Sequence, residues 1–157
     1  MPKYTVTFEG VAVSAAQDLI SMKCAAGVPA RIIRYWAKAT DTSLPVSQML
    51  EFRARVLPAT VTQGSGGTTP TPQKIGSQTD TAASTTCHAN DTSKATTSGT
   101  AAIVDEPAEH VYNGFDSAVE NRDPLNIAAA AGFVWELLST PSGTLHLSGG
   151  VDFEEIV

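Results

Sequence analysis

The chain has 157 residues, of which 42% are hydrophobic, 6% aromatic and 17% charged, and its formal net charge is −6. This length fits one domain, and the apolar content suffices for a core, which excludes wholesale disorder. The acidic charge opposes binding to phosphate backbones, and no apolar run reaches membrane-spanning length, so we expect neither nucleic acid nor a membrane as a partner.

The first element in the chain is a predicted strand over residues 3–13. Tyr4, Val6 and Phe8 alternate with polar residues, which is the period of a half-buried strand, and Gly10 predicts a bulge or bend. No hydrophobic signal core precedes this strand, so we expect no Sec export. Residues 15–20 fit a short helical turn, although residues 19–22 also fit an extended segment.

Two further strands are predicted in the first half of the chain. Both faces of the predicted strand over residues 30–38 are partly apolar, which is typical of an inner strand or of a strand at an interface. Residues 49–57 show the cleanest alternation, with Leu50 and Phe52 on one face and charged residues on the other. Gly, Pro or Asp separates these segments, which favours an antiparallel meander or Greek key. We expect Trp36 and Trp135 to pack in the core.

Residues 60–100 differ in composition from the rest of the chain, because Thr, Ser, Gly, Ala and Pro dominate them. Threonine is β-branched, so 83–89 and 94–103 are candidate strands with weakly apolar faces. The segment is either an extended arm or sheet edge, which we favour, or a set of long loops. An arm would finish its contacts on a neighbouring molecule, and deleting 64–99 would then leave the fold intact.

The last third contains several short strand patterns. Residues 100–104 predict a short strand, and residues 126–138 are ambiguous, because the alanines favour helix whereas Gly132 and the following Phe-Val-Trp favour strand. We predict a strand over 132–138 and leave 126–131 open between helix and strand. Two more strands are predicted at 144–148 and 151–157.

No pattern for catalysis is present in the sequence. The three histidines are far apart, and Cys87 and His88 are adjacent, so their side chains would leave a strand on opposite faces. We therefore expect no metal site, no cofactor and no enzyme activity, and we expect Cys24 and Cys87 to be reduced thiols and not a bridge. The acidic residues of 152–155 are predicted to be solvated charges on a sheet edge.

Four stretches carry a resemblance to a known group of proteins: 3–20 (KYTVTFEGVAVSAAQDLI), 51–56 (EFRARV), 89–100 (ANDTSKATTSGT) and 145–155 (LHLSGGVDFEE). In this order they resemble small structural proteins encoded by tailed bacteriophages and prophages. The resemblance implies a virion component of the capsid cement, or decoration, type. It also implies an all-β fold, an antiparallel β-sandwich of jelly-roll type, and it supplies no catalytic residues.

The expectation from the residues and the resemblance together is one sandwich domain over 1–157, with 60–100 as a Thr/Ser-rich arm or loop insertion. The function expected is that of a non-enzymatic cement protein on the capsid surface, made in the cytoplasm of the bacterial host. Its partners would be the major capsid protein and further copies of itself in a trimer. The alternatives are a tail or neck adaptor, a fibre-associated module, or a carbohydrate-binding β-sandwich. The residues predicted to form the interface are Tyr4, Thr5, Thr7, Thr69, Thr71, Thr85, Thr86, Thr96 and Thr97.

Overall fold

The computed structural model describes residues 1–77, 79, 81–118, 120 and 122–157, and this part of the chain contains strands and no helix. No helix long and apolar enough to cross a membrane occurs in these residues. The strands are β1 (Lys3–Val13), β2 (Gln17–Lys23), β3 (Ala30–Ala39), β4 (Met49–Leu57), β5 (Gln73–Lys74), β6 (Thr86–Asp91), β7 (Ala102–Asp105), β8 (Ala108–His110), β9 (Phe115–Asp116), β10 (Leu125–Ile127), β11 (Gly132–Leu137) and β12 (Leu145–Glu155).

The strands form two antiparallel sheets that pack face to face. The first sheet has the order β10-β3-β12-β1-β5, with β9 also beside β3, and the second has the order β6-β2-β11-β4-β7, with β8 also beside β4. Strands β1 to β4 alternate between the two sheets, as do β10, β11 and β12, and the last strand, β12, lies between β1 and β3. This connectivity is that of a jelly roll, in which β5 and β6 are additional edge strands. The predicted all-β antiparallel sandwich is confirmed.

The core lies between the two sheets and is centred on Trp135, which is fully buried. Its indole ring lies 5.0 Å from the ring of Tyr35 and 5.2 Å from those of Phe52 and Phe115, measured between centroids. Rings at these separations add attraction to the apolar area that they bury. The predicted strand over 3–13 is also confirmed, since its apolar face is buried and the register of β1 on β12 shifts between Phe8 and Val11.

Two helical alternatives raised by the sequence are wrong. Residues 17–23 form strand β2, which lies between β6 and β11, so six of its seven residues are buried. The alanine run 128–131 forms a turn, in which Ala130 has a φ of 61° and the Ala131 N–H donates to the Ala128 carbonyl. The turn also bonds to the β2–β3 loop, where the Ala130 N–H donates to the Ala25 carbonyl. These tertiary bonds outweigh the helix preference of alanine.

The C-terminal residues form one continuous strand instead of the two that were predicted. Gly149 and Gly150 lie inside β12, where a Cβ on Gly149 would approach the Phe8 ring to 2.8 Å. Glycine is therefore needed here for close approach by neighbours and does not mark a break in the strand.

The prediction of solvated edge charges at the C-terminus is wrong as well. β12 is a central strand, so Glu154 and Glu155 are buried. Glu155 accepts hydrogen bonds from the N–H groups of Ser84 and Thr85, at 2.8 and 2.7 Å, and Glu154 pairs with Arg31 at 2.9 Å. Buried carboxylates of this kind are held by partners and do not serve as exposed edge charges.

Residues 60–100 form an insertion between β4 and β7 that folds back on the domain. β5 pairs with β1 of the first sheet and β6 pairs with β2 of the second. Within the insertion, isolated bridges join Thr62 to Thr96, Ser65 to Ser93 and Thr68 to Ala89. A second apolar cluster of Leu57, Val61, Ala95 and Val134 lies between the insertion and the outer face of β11. The segment thus contributes edge strands and a cover to its own sandwich.

Candidate functional site

Among the residues that the structure describes, no group of three or more His, Cys, Asp or Glu side chains is arranged to hold a metal ion. Cys24 and Cys87 are buried and unbridged. Burial raises the pKa of Cys24 to about 11 and that of Cys87 to about 12, so both remain protonated thiols at neutral pH.

A network of charged side chains is buried between the insertion and the outer face of the second sheet. The Glu136 carboxylate lies 2.6 Å from Arg53 Nε, 3.1 Å from Arg55 Nε and 2.9 Å from Lys94 Nζ. Burial alone would raise the pKa of Glu136, but hydrogen bonds from Lys94 and Arg53 and the charge of Arg55 lower it. Lys94 belongs to the insertion, so this network attaches the insertion to the sheet.

The second buried acid of this network, Asp18, is less well compensated. Its Oδ2 accepts a hydrogen bond from the Ala95 N–H at 2.6 Å, while its Oδ1 lies 4.0 Å from Arg55 and has no hydrogen-bond partner. Burial raises the pKa of Asp18 to about 6, the Ala95 bond opposes this rise, and the charge of Glu136 adds to it. The network holds the insertion in place, but the ionised form of Asp18 within it lowers the stability of the fold.

The most exposed edge of the second sheet is formed by residues 102–110, which we call the β7–β8 edge. β7 and β8 pair one after the other along β4, and within the described part of the chain no strand pairs with their outer side. Ile103 is 55% exposed and Val104 is 40% exposed. An edge with open backbone groups and apolar side chains on both faces is a template for pairing with another chain.

Further exposed apolar residues lie at the β8 end of this edge. Met49, which pairs with His110, is 56% exposed, and Tyr112 is 51% exposed. The Tyr112 hydroxyl donates to the Pro45 carbonyl at 2.9 Å and so holds its ring against the β3–β4 loop. Exposed apolar residues therefore lie at both ends of the β7–β8 edge.

The nine residues predicted to form an interface do not form one surface. Tyr4 and Thr85 are buried in the domain itself, and Tyr4 packs on Phe153 with ring centroids 5.4 Å apart, so a partner could reach neither without unfolding the sandwich. Thr7 lies on β1 of the first sheet and Thr86 on β6 of the second. The exposed members are Thr7, Thr69, Thr71, Thr86 and Thr96, and the partly exposed ones are Thr5 and Thr97.

Trp36 was expected in the core, but it lies partly exposed on the outer face of the first sheet. The register of β3 against β12 skips one residue, because Asp152 pairs with Arg34 and Phe153 with Ile32. This bulge at Ile33 reverses the facing of the residues that follow, so Ile32 is buried whereas Trp36 is not. The prediction for Trp36 is wrong, whereas that for Trp135 is confirmed.

A pocket of about 510 Å³ opens beside Trp36, between β3 and the turn that leads from β8 to β9. Arg34 and Lys38 bring their cationic groups to 5.5 and 5.8 Å from the centre of the indole ring. Asn113 and Asp116 line the opposite wall. In the sequence Arg34, Trp36 and Lys38 occupy alternate positions, but this spacing does not reveal which face of the sheet they share.

No family model, no curated protein and no solved structure matches this chain. The two surfaces that stand out for interaction are therefore identified by their own geometry. They are the β7–β8 edge, which has open backbone groups and the exposed side chains of Ile103 and Val104, and the Trp36 pocket, which is aromatic and polar.

Proposed function

We propose that the protein is a non-enzymatic structural component of a phage virion, a capsid cement that binds and stabilises the shell of the major capsid protein. The resemblance of four of its stretches to phage structural proteins supports this proposal, and so does the jelly-roll sandwich. As part of the proposal, the protein is made in the host cytoplasm, lies on the capsid surface and associates into a trimer.

The observation that carries the proposal is the β7–β8 edge. It offers unpaired backbone groups together with Ile103 and Val104, which are both exposed. We assign this edge to an extended segment of the capsid protein, which would add a strand to the second sheet. Strand addition supplies affinity through main-chain hydrogen bonds and specificity through alternate side chains, and needs no covalent chemistry.

Cosedimentation with capsids that lack the protein tests this assignment. We expect the wild type to sediment with the capsids and Ile103→Lys to bind at least about tenfold more weakly, because a lysine on an edge strand opposes pairing. Thr140→Lys is the matched control, since Thr140 is exposed in the β11–β12 connection and the charge change is the same. Equal binding by all three proteins would remove the edge from the proposal, and no binding by any of them would remove the cement function.

The number of copies in the virion separates a cement from a tail or neck adaptor. A cement protein covers the shell and should be present in proportion to the capsid protein, whereas an adaptor is present in a few copies. Gel densitometry of purified virions measures this ratio. A ratio of a few copies per particle would favour the adaptor.

A further inference from the structure

We propose that the Trp36 pocket is a binding site for a neutral saccharide. This inference goes beyond the cement function and does not depend on it, because the pocket lies on the first sheet whereas the β7–β8 edge belongs to the second. Its volume of about 510 Å³ falls within the range of about 300–1,000 Å³ that small-molecule sites occupy.

The floor of the site is aromatic. Trp36 pairs with Gly150 on β12, and a Cβ on Gly150 would come within 3.2 Å of the indole nitrogen. The glycine therefore lets the indole lie close to the backbone of the neighbouring strand. The part of the indole that Arg34 and Lys38 leave exposed gives the C–H groups of a sugar ring an apolar surface to pack on.

The polar groups around the ring are already fixed in position. Arg34 holds Asp116 through two parallel contacts, with Nε 3.0 Å from Oδ1 and Nη2 2.5 Å from Oδ2. Asp152 lies 3.8 Å from the same guanidinium. The planar Arg–Asp pair fixes the Arg34 guanidinium beside the indole ring, which lowers the entropy that binding must overcome.

The charges of the pocket favour a ligand without net charge. Arg34 and Lys38 are opposed by Asp116 and Glu120 in the lining and by Asp152 beside it. Two cations against three carboxylates give no net attraction to an anion such as a phosphate or a sulfated glycan, and because Arg34 already pairs with Asp116 and Asp152, these carboxylates offer little attraction to a cation. Mixed donors and acceptors around an apolar floor suit the hydroxyl groups of a neutral sugar.

The wall opposite the strand is held in place by close packing. Gly114 has a φ of 67°, and a Cβ there would lie 2.8 Å from the Ala37 carbonyl oxygen and 2.9 Å from Lys38 Cβ. Glycine at this position therefore lets the turn approach β3 closely, and Asn113 beside it lines the pocket.

Tryptophan fluorescence gives a direct test. The chain has two tryptophans, and Trp135 is fully buried, so quenching or a spectral shift caused by a ligand reports on Trp36. The probes are neutral oligosaccharides of glucose, galactose, mannose and N-acetylglucosamine, with sialylated and sulfated oligosaccharides of matched length as the charged comparison. We expect a saturable change with at least one neutral probe and a weaker response, or none, with the charged probes.

Variants of the pocket residues then test whether the saccharide binds in this pocket. Their affinities are measured by calorimetry, because this readout does not depend on the fluorescence of Trp36. Trp36→Ala should weaken binding at least about tenfold, which corresponds to about 1.4 kcal/mol, and Trp36→Phe should retain part of the affinity. Asn113→Ala changes an exposed residue of the pocket and should weaken binding without affecting the fold. This variant therefore tests the site even if Trp36→Ala does not fold. Failure of every neutral probe to bind would overturn the proposal. Preferential binding of charged probes, or unchanged affinity in the folded variants, would overturn it as well.

Discussion

The buried carboxyl group of Asp18 gives the sharpest test of the packing between the insertion and the second sheet. The substitution Asp18→Asn removes its charge and keeps an oxygen that can accept the hydrogen bond from the Ala95 N–H. The folded-state pKa of Asp18 is about 6, against 3.8 for the free group. A rise of about two units corresponds to about 3 kcal/mol, which is the cost of ionising this group in the folded protein at neutral pH.

The direction of the pH dependence follows from this shift. Between about pH 4 and pH 6 the folded protein binds the Asp18 proton while the unfolded chain has released it, so the free energy of unfolding falls as the pH rises. Asparagine does not titrate, so Asp18→Asn lacks this loss. Relative to the wild type, the variant should gain about 3 kcal/mol between about pH 4 and pH 7.

Urea unfolding of both proteins at a series of pH values measures this gain. A difference in unfolding free energy that is the same at every pH reflects how well the new amide group is hydrogen-bonded. The part of the difference that changes with pH reports the ionisation of Asp18. At neutral pH, 3 kcal/mol corresponds to about 6–12 °C in melting temperature for a chain of this size. A difference that stays flat between about pH 4 and pH 7, or that changes in the opposite direction, would refute this reasoning.

Three further predictions concern the same fold and are checked by thermal and urea unfolding. Glu136→Gln should destabilise the protein by about 3–5 kcal/mol at neutral pH, because Arg53 and the two other cations lose their buried counter-charge, and an unchanged stability would contradict the network. Gly149→Ala should cost about 1–3 kcal/mol, since the new Cβ meets the Phe8 ring, and a neutral effect would mean that the strands can separate freely there. Deletion of 64–99 removes β6 and the cover over β11, so circular dichroism should show an unfolded chain, whereas a folded product would identify the segment as a separable arm.

The sequence predicted well those strands whose side chains have one buried and one polar face. The alternation in β1 and β4 is a local signal, and Gly10 marked the bulge in β1. The position of β12 was not predictable in this way, because its burial depends on pairing with β1 and β3, which are distant in sequence. For the same reason the burial of Glu154 and Glu155 has no local signal in the sequence.

The candidate sites were harder to predict than the fold. The apolar context of its strand predicts Trp36 in the core, and nothing in the residues themselves reveals the bulge at Ile33 that turns it outward. The insertion has too few large apolar residues to predict its packing. The insertion packs over β11 through small side chains such as that of Ala95 and through the ion pair between Lys94 and Glu136. Only the tertiary structure brings these residues together.

The disruption temperature of capsids that lack this protein tests the cement function most directly. Purified protein is added to such capsids, and the release of the genome or the loss of the shell is followed as the temperature rises. We predict that the wild-type protein raises the disruption temperature and that Ile103→Lys does so much less at the same concentration. Capsids that disrupt at the same temperature with and without saturating wild-type protein would contradict the account.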